Sequence, residues 1–316
     1  MALSKHLSLN PKFDFMGARF WFFAIALTIV IGSILLVAFK GLNFGVDFRG
    51  GIAIEIQTNG PADLDQMRSD LNGLGLGGVT LQTFGDPDVV LINLSAQDGG
   101  EDAQNAAIDS VKASLGDRVV EYRRIESVGP KVGDELRTGG IVATILSLLG
   151  IAIYVWVRFD LSYGLAALVS LAHDVIGVIG FYALVGYEFD LTTLGAVLTV
   201  AGYSINDTVV IYDRVREELR RYKVMPIPDV LNLAINATLT RTFLTSFTTL
   251  LSLIGLFIFG GEVIRGFSAG IIVGIVLGTY SSWGVSVPLL SYTRLRRRKD
   301  DAKPVDQAVP AKGKKA

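Results

Sequence analysis

The stretch Thr192–Glu217, TTLGAVLTVAGYSINDTVVIYDRVRE, decides how the rest of the chain is read, because it carries Asn206 and Asp207 inside a run otherwise apolar enough to span a bilayer. A charged side chain at the centre of a membrane helix costs about 2.5–3.5 kcal/mol on insertion scales, so a helix that keeps one usually uses it. The run gives way to Asp213, Arg214, Arg216, Glu217 and Glu218, the charge pattern of a helix leaving the membrane. At about 1.5 Å per residue, Asp207 lies roughly 10 Å inside that exit. A solvated surface helix would need a polar face, and Leu198, Val200, Val209, Val210 and Ile211 leave none wide enough.

Composition agrees. With 50% hydrophobic and 19% charged residues and a mean hydropathy of +0.47, the chain is too apolar for a soluble protein of 316 residues and belongs among integral membrane proteins with several spans. A net charge of −1 argues against a nucleic-acid partner, since the basic residues flank apolar runs and form no continuous face. The absence of cysteine excludes a disulfide frame and thiol chemistry. His6 and His173 are the only histidines and no HExxH-type spacing exists, so neither a metal nor a cofactor is expected.

Outward from the central stretch, the apolar runs number six. Residues 20–39 form the first, preceded by Lys5, Lys12 and Arg19; it is longer than a signal-peptide core, and no small-x-small cleavage site follows. The others lie at about 139–157, 163–185, 191–212, 243–259 and 267–290, which leaves a terminus at 1–19 and a basic tail at 291–316. Arg158, then Arg214, Arg216, Arg220, Arg221 and Lys223, then Arg294, Arg296, Arg297, Arg298 and Lys299 fall on one side of the membrane. By the positive-inside tendency that side is cytoplasmic and holds both termini. Residues 40–138 then lie outside, in the periplasm of a bacterium. The tail from Lys299, rich in Lys, Ala and Pro, has too little apolar surface to fold alone.

That outer segment has soluble-domain patterning. Ile52, Ile54 and Ile56 alternate with Ala53, Glu55 and Gln57 as in a half-buried strand, and Leu64, Met67 and Leu71 recur at helical spacing. Val79–Phe84 and Val89–Leu94 read as strands joined by a turn at Gly85-Asp86-Pro87-Asp88. Ile108, Val111 and Leu115 mark a second helix, and Val119–Ile125 a last strand. The expected fold is a polytopic α-helical membrane protein of six transmembrane helices, with one α+β ferredoxin-like domain between the first and second.

Four groups of residues stand out. Arg241 opens the apolar part of the fifth span, with Thr245 one turn further on the same face and Ser246, Thr248, Thr249 and Ser252 following. An arginine keeps its proton, so it supplies a fixed positive charge against which Asp207 can be ionised or neutral, a two-state element of the kind a proton-driven motor needs. An arginine at a helix end also snorkels to the interface for no further purpose. His173-Asp174 places a second charged pair in the third span, suited to extending a proton path or to packing. Gly266, Gly270, Gly274 and Gly278 recur every four residues in the sixth, leaving one helix face nearly bare for close approach. Finally Gly45-Val-Asp47-Phe-Arg-Gly50-Gly51 joins the first span to the outer domain and suits a tight turn into its first strand; as a phosphate loop it lacks the GK[ST] ending.

Taken together, Gly45-Val-Asp47-Phe-Arg-Gly50-Gly51, His173-Asp174, Gly202-Tyr-Ser-Ile-Asn206-Asp207 running on to Asp213-Arg214-Val-Arg216-Glu217, and Thr240-Arg241-Thr242 resemble the SecF branch of the SecD/SecF family of protein-export membrane proteins, within the resistance-nodulation-division superfamily. The resemblance covers roughly residues 11–295. It implies a non-enzymatic subunit of the cytoplasmic membrane that uses the proton-motive force to complete protein export. Asp207, Arg241 and Thr245 would be its proton-conducting residues, supported by Asn206, His173 and Asp174, and Gly45, Asp47, Gly50 and Gly51 its signature. The implied partners are SecD, the SecYEG translocon, the translocating polypeptide, membrane lipid and, as further candidates, YajC and YidC. With six spans, the chain would draw half the helices of the proton path from a separate SecD. A carboxylate with hydroxyls serves H+ and Na+ alike, so either ion remains open.

Other classes fit less well. An intramembrane aspartyl protease would need two carboxyls sharing a proton, and the GxGD sequence of such enzymes is missing around Asp207 and Asp174. A proton-driven exporter of small hydrophobic molecules from the same superfamily would carry two large outer domains and about twelve spans. A non-conducting scaffold for SecD is the remaining alternative; it predicts that Asp207 and Arg241 tolerate neutral replacement.

Overall fold

The computed structural model describes residues 13–293 and 295; Lys5, His6, Lys12, Arg294 and the basic tail from Arg296 lie outside the described residues. Six helices in it are long and apolar enough to cross a membrane. They are α1 (Arg19–Phe39), then α5 (Pro130–Arg158), α6 (Leu161–Val185), α7 (Leu191–Arg221), α8 (Ile227–Phe259) and α9 (Gly261–Ser281), the last continued by a π-helical turn and a short α10 (Val287–Leu290). Helices α6, α7 and α9 make the interior, whereas α1, α5 and α8 turn most of their apolar surface outward.

Most helices begin earlier or end later than their apolar runs, because hydropathy marks the membrane and not the end of backbone hydrogen bonding. Helix α5 starts at Pro130, whose missing N–H costs nothing in a first turn, so the polar Lys131–Arg137 segment is already helical. Helix α7 continues past Tyr212 to Arg221, held by pairs of Arg214 with Glu217 at 2.7 Å and Glu218 at 2.5 Å, three and four residues on. Helix α8 starts straight after Pro226, well ahead of its apolar part. The sixth span loses its regular register over Ser282–Ser286, just before Pro288, where a proline ring collides with the carbonyl one turn back and a π-turn absorbs the misfit. Arg158 and Asp213 pair at 2.9 Å where α5 ends and α7 runs out. At the same end the amides of Phe13 and Phe15 donate to Asn236 and Asn232 of α8.

Between α1 and α5 lie β2 (Gly51–Thr58), α3 (Leu64–Asn72), β3 (Val79–Phe84), β4 (Asp86–Leu94), α4 (Gly100–Leu115) and β5 (Val119–Val128). The sheet order is β3-β4-β2-β5, antiparallel throughout, the split βαβ arrangement. Ile52, Ile54 and Ile56 point to one face and pack with Met67, Leu71, Val111 and Leu115 of the two helices. The turn between β3 and β4 is tighter than Gly85–Asp88: Phe84 pairs with Asp86, so Gly85 alone, at φ +79°, reverses the chain. Pro87 is tolerated because it sits at the start of its strand.

The domain is tied to the helices by a short junction. β1 (Asn43–Phe44) pairs in parallel with β6 (Glu188–Phe189), which links α6 to α7. α2 (Val46–Arg49) follows and ends on Gly50 and Gly51, at φ +68° and +123°. A side chain at Gly51 would also strike the Leu94 carbonyl oxygen, 2.3 Å from where its Cβ would lie.

Candidate functional site

Asp207 is buried, 4% exposed, and faces α8. Ser246 Oγ donates to its Oδ2 at 3.5 Å and also pairs with Thr279 Oγ1 of α9 at 2.7 Å, so a hydroxyl chain from two helices meets the carboxyl. Asn206 points away and is exposed. Arg241 of α8 acts on Asp207 through space, and among the described residues no ion pair joins the two. Its side chain is exposed, as are Thr245, Thr248 and Ser252, which follow at helical spacing and make a polar stripe on the outward face of α8 among Phe243, Phe247 and Leu251. The Thr245 hydroxyl donates to the Arg241 carbonyl, and the Thr245 carbonyl accepts from the Tyr203 hydroxyl at 3.3 Å. The hydroxyl within reach of Asp207 is thus Ser246, one residue along from the one the helical spacing singled out.

His173-Asp174 lies elsewhere in the core. Asp174 is fully buried, its Oδ2 accepting from Ser204 Oγ of α7 at 2.5 Å and Ser281 Oγ of α9 at 2.7 Å, its Oδ1 2.8 Å from His173 Nδ1. The carboxyl therefore ties three helices at one point. His173 Nε2 is buried and has no hydrogen-bond partner among the described residues. Ser204, which donates to Asp174, stands three residues before Asp207 on α7, so the two carboxyls meet that helix about one turn apart, Asp174 between α6, α7 and α9 and Asp207 toward α8.

The glycines of α9 set how closely these helices meet. A Cβ at Gly270 would lie 2.0 Å from Tyr182 Oη, one at Gly274 2.1 Å from Val200 Cγ2, and one at Gly278 2.9 Å from Ser204 Cβ. Gly266 has room, with Thr193 Cγ2 at 4.0 Å, and its carbonyl accepts from Tyr182 Oη at 3.0 Å.

The junction segment reaches the same helix from the other end. Asp47 Oδ2 accepts from the Leu191 amide at 3.0 Å, and Gly45 N donates to the Phe189 carbonyl at 3.0 Å. Asp190 and Thr193 form a capping box on the same first turn. Two carboxylates thus serve the N-terminus of the helix that carries Asp207, where unpaired N–H groups and the helix dipole favour negative charge. Asp47 shows no such role in the sequence, because its partner lies 144 residues away.

Residues 107–296, more than half of the chain, match the family described as protein export membrane protein SecD/SecF, C-terminal, and residues 35–62, which run from the end of α1 through the junction, match the SecD/SecF GG motif. The chain belongs to the SecD/SecF protein-export family. Among its SecD/SecF relatives, a protein translocase subunit SecF of Rickettsia felis is 42% identical over 300 residues, covering 93% of this chain and 96% of the relative. One of Cereibacter sphaeroides is 40% identical over 302 residues, covering 92% and 93%. The crystal structure of SecDF of Thermus thermophilus, described as a translocon-associated membrane protein, superposes with a TM-score of 0.81 at 35% identity, over 90% of this chain but only 39% of the SecDF chain.

Proposed function

We propose that this chain acts as the SecF-type subunit of a protein translocase in the cytoplasmic membrane, multi-pass with both termini cytoplasmic and the α3–α4 domain outside, and that with SecD it uses the proton-motive force to complete export. Support comes from the SecF relatives matched along nearly their whole length, and from a SecDF chain of which this one spans 39%. The observation that carries the proton role is the geometry of Asp207: buried, held by one long hydroxyl contact, and within electrostatic reach of an arginine with which it makes no ion pair. Ionised, the carboxylate is drawn to the fixed charge of Arg241; neutral, it is released, and α7 and α8 have two relative arrangements to choose between. Ser246 and Thr279 supply the hydroxyls along which a proton reaches it. The exposed stripe of Arg241, Thr245, Thr248 and Ser252 is costly against lipid and calls for helices of another chain, for which SecD is the candidate. SecYEG and the emerging polypeptide follow as functional partners.

Proton entry into liposomes holding the purified chain with SecD, under an imposed gradient, tests this directly. Wild type should acidify the lumen, and Asp207→Asn should lose most of that flux while still co-purifying with SecD. Equal flux from both would remove Asp207 from the path.

A second reading applies to Asp174 alone. Three donors already satisfy it, so we assign it to holding α6, α7 and α9 together.

A further inference from the structure

Where the outer domain meets the start of α7, one guanidinium stands among carboxyls. Arg124 of β5 lies 3.7 Å from Glu188 of β6 and 3.4 Å from Glu126 on its own strand. Asp190 at the cap of α7 and Asp47 of α2 act on Glu188 electrostatically, as does Glu126. Glu55 of β2, 4.0 Å from Arg123, acts in turn on Glu126. Lys40, on the same side of the junction, is engaged with the Leu184 carbonyl at 2.6 Å. The enclosure is tight: the Glu188 side chain is 11% exposed, its backbone pairs with Asn43, and a Cβ at Gly45 would lie 3.2 Å from Glu188 Cγ.

We propose that Glu188 is a proton-sensitive latch between the outer domain and the membrane helices: protonated, it lets the domain sit closed on the start of α7, and ionised, it loosens that contact. Geometry gives it leverage, since the same junction holds the β1–β6 pairing and the bond from Asp47 to the first turn of α7. The direction follows from the balance of charges. Burial pushes the Glu188 carboxyl up to about 7, Asp190, Glu126 and Asp47 push the same way, and Arg124 opposes them without prevailing. In the open arrangement, with water around it, the group would return to its ordinary value of 4.5. The closed arrangement therefore binds the extra proton and is favoured by acid. Its ratio to the open one falls about tenfold for each pH unit between the two values. This device stands independently of the role proposed for Asp207, because it needs no proton to cross the membrane.

Because the chain has no cysteine, a pair of spin labels can be placed by Asp109→Cys on α4 and Leu184→Cys at the outer end of α6, both exposed. Inter-label distances in the full chain in lipid nanodiscs, from pH 5 to 8.5, read the latch. The expected result is one short-distance population at pH 5 that loses ground to a longer one as pH rises toward about 7 and then levels off. Glu188→Gln, which mimics the protonated state, should stay short at every pH. Glu126→Gln, which removes a like charge and frees Arg124, should level off at a lower pH than wild type; it decides the matter should Glu188→Gln not fold. A wild-type distribution identical at pH 5 and 8, a Glu188→Gln protein that keeps the wild-type pH response, or a Glu126→Gln protein indistinguishable from wild type would each overturn the proposal.

Discussion

Replacing Asp174 by alanine removes the shared acceptor of Ser204, Ser281 and His173 in one step. In bilayer proteins an interhelical hydrogen bond contributes about 0.6 kcal/mol on average and about 1.7 at most, so three of them set a loss of roughly 2–5 kcal/mol. The donors left behind are buried, which favours the upper part of that range. Asp174→Asn has the same shape. Its amide oxygen can take both serine hydroxyls and its NH2 can donate to His173 Nδ1 in the other imidazole tautomer, so its cost should stay below about 1 kcal/mol. Equilibrium unfolding in mixed detergent and SDS micelles reads both. Trp283 is a natural reporter, since its ring lies 5.5 Å from Tyr280, which in turn faces His173. Alanine and asparagine variants of equal stability, or an alanine variant within about 0.5 kcal/mol of wild type, would refute the assignment of Asp174 to helix packing.

Gly274→Ala would push a methyl group into Val200, where contact begins at 3.4 Å and only 2.1 Å is available; α7 and α9 must part, at about 1–3 kcal/mol, and Val200→Ala in the same chain should recover part of the loss in the same unfolding assay. Ser246→Ala removes the hydroxyl that reaches Asp207 and should slow gradient-driven export about 2–10-fold, the equivalent of about 0.5–1.5 kcal/mol, whereas Asn206→Ala, on the exposed side, should leave the Asp207 contacts and the rate unchanged. Asp47→Ala leaves the Leu191 amide without its acceptor, so hydrogen exchange in the first turn of α7 should speed up by the equivalent of about 0.5–2 kcal/mol while the rest of the helix keeps its protection.

The six spans were legible because a bilayer demands long uncharged runs, and the domain between α1 and α5 because Ile52, Ile54 and Ile56 alternate beside helical spacing in Leu64, Met67 and Leu71; β2 is nevertheless buried on both faces and not half-buried, since Ala53 and Glu55 on its other side are covered too. What hydropathy could not show is how far α7 and α8 extend beyond their apolar runs, where i,i+3 and i,i+4 ion pairs support the last turns of α7 and Pro226 precedes the start of α8. The break at Ser282–Ser286 had a signal in Pro288, whose effect falls on the preceding turn. Thr245 shares the azimuth of Arg241, which spacing alone gives. Which hydroxyl faces Asp207 depends on how α7 and α8 are rotated against each other, and their packing selects Ser246. Asp47 was picked out only as part of a signature, and its contact with Leu191, like the pairing of Glu188 with Arg124, was beyond reach because each partner is distant in the chain.

The most direct test is protein export into inverted vesicles containing SecYEG, SecD and this chain, with the proton gradient imposed or collapsed, for wild type, Asp207→Asn and Arg241→Met. Loss of the gradient-dependent part in both variants, with assembly onto SecD intact, is the expected result and makes the separated charges the coupling element. Normal gradient-dependent export from both would contradict it and leave these charges only the task of holding helices together.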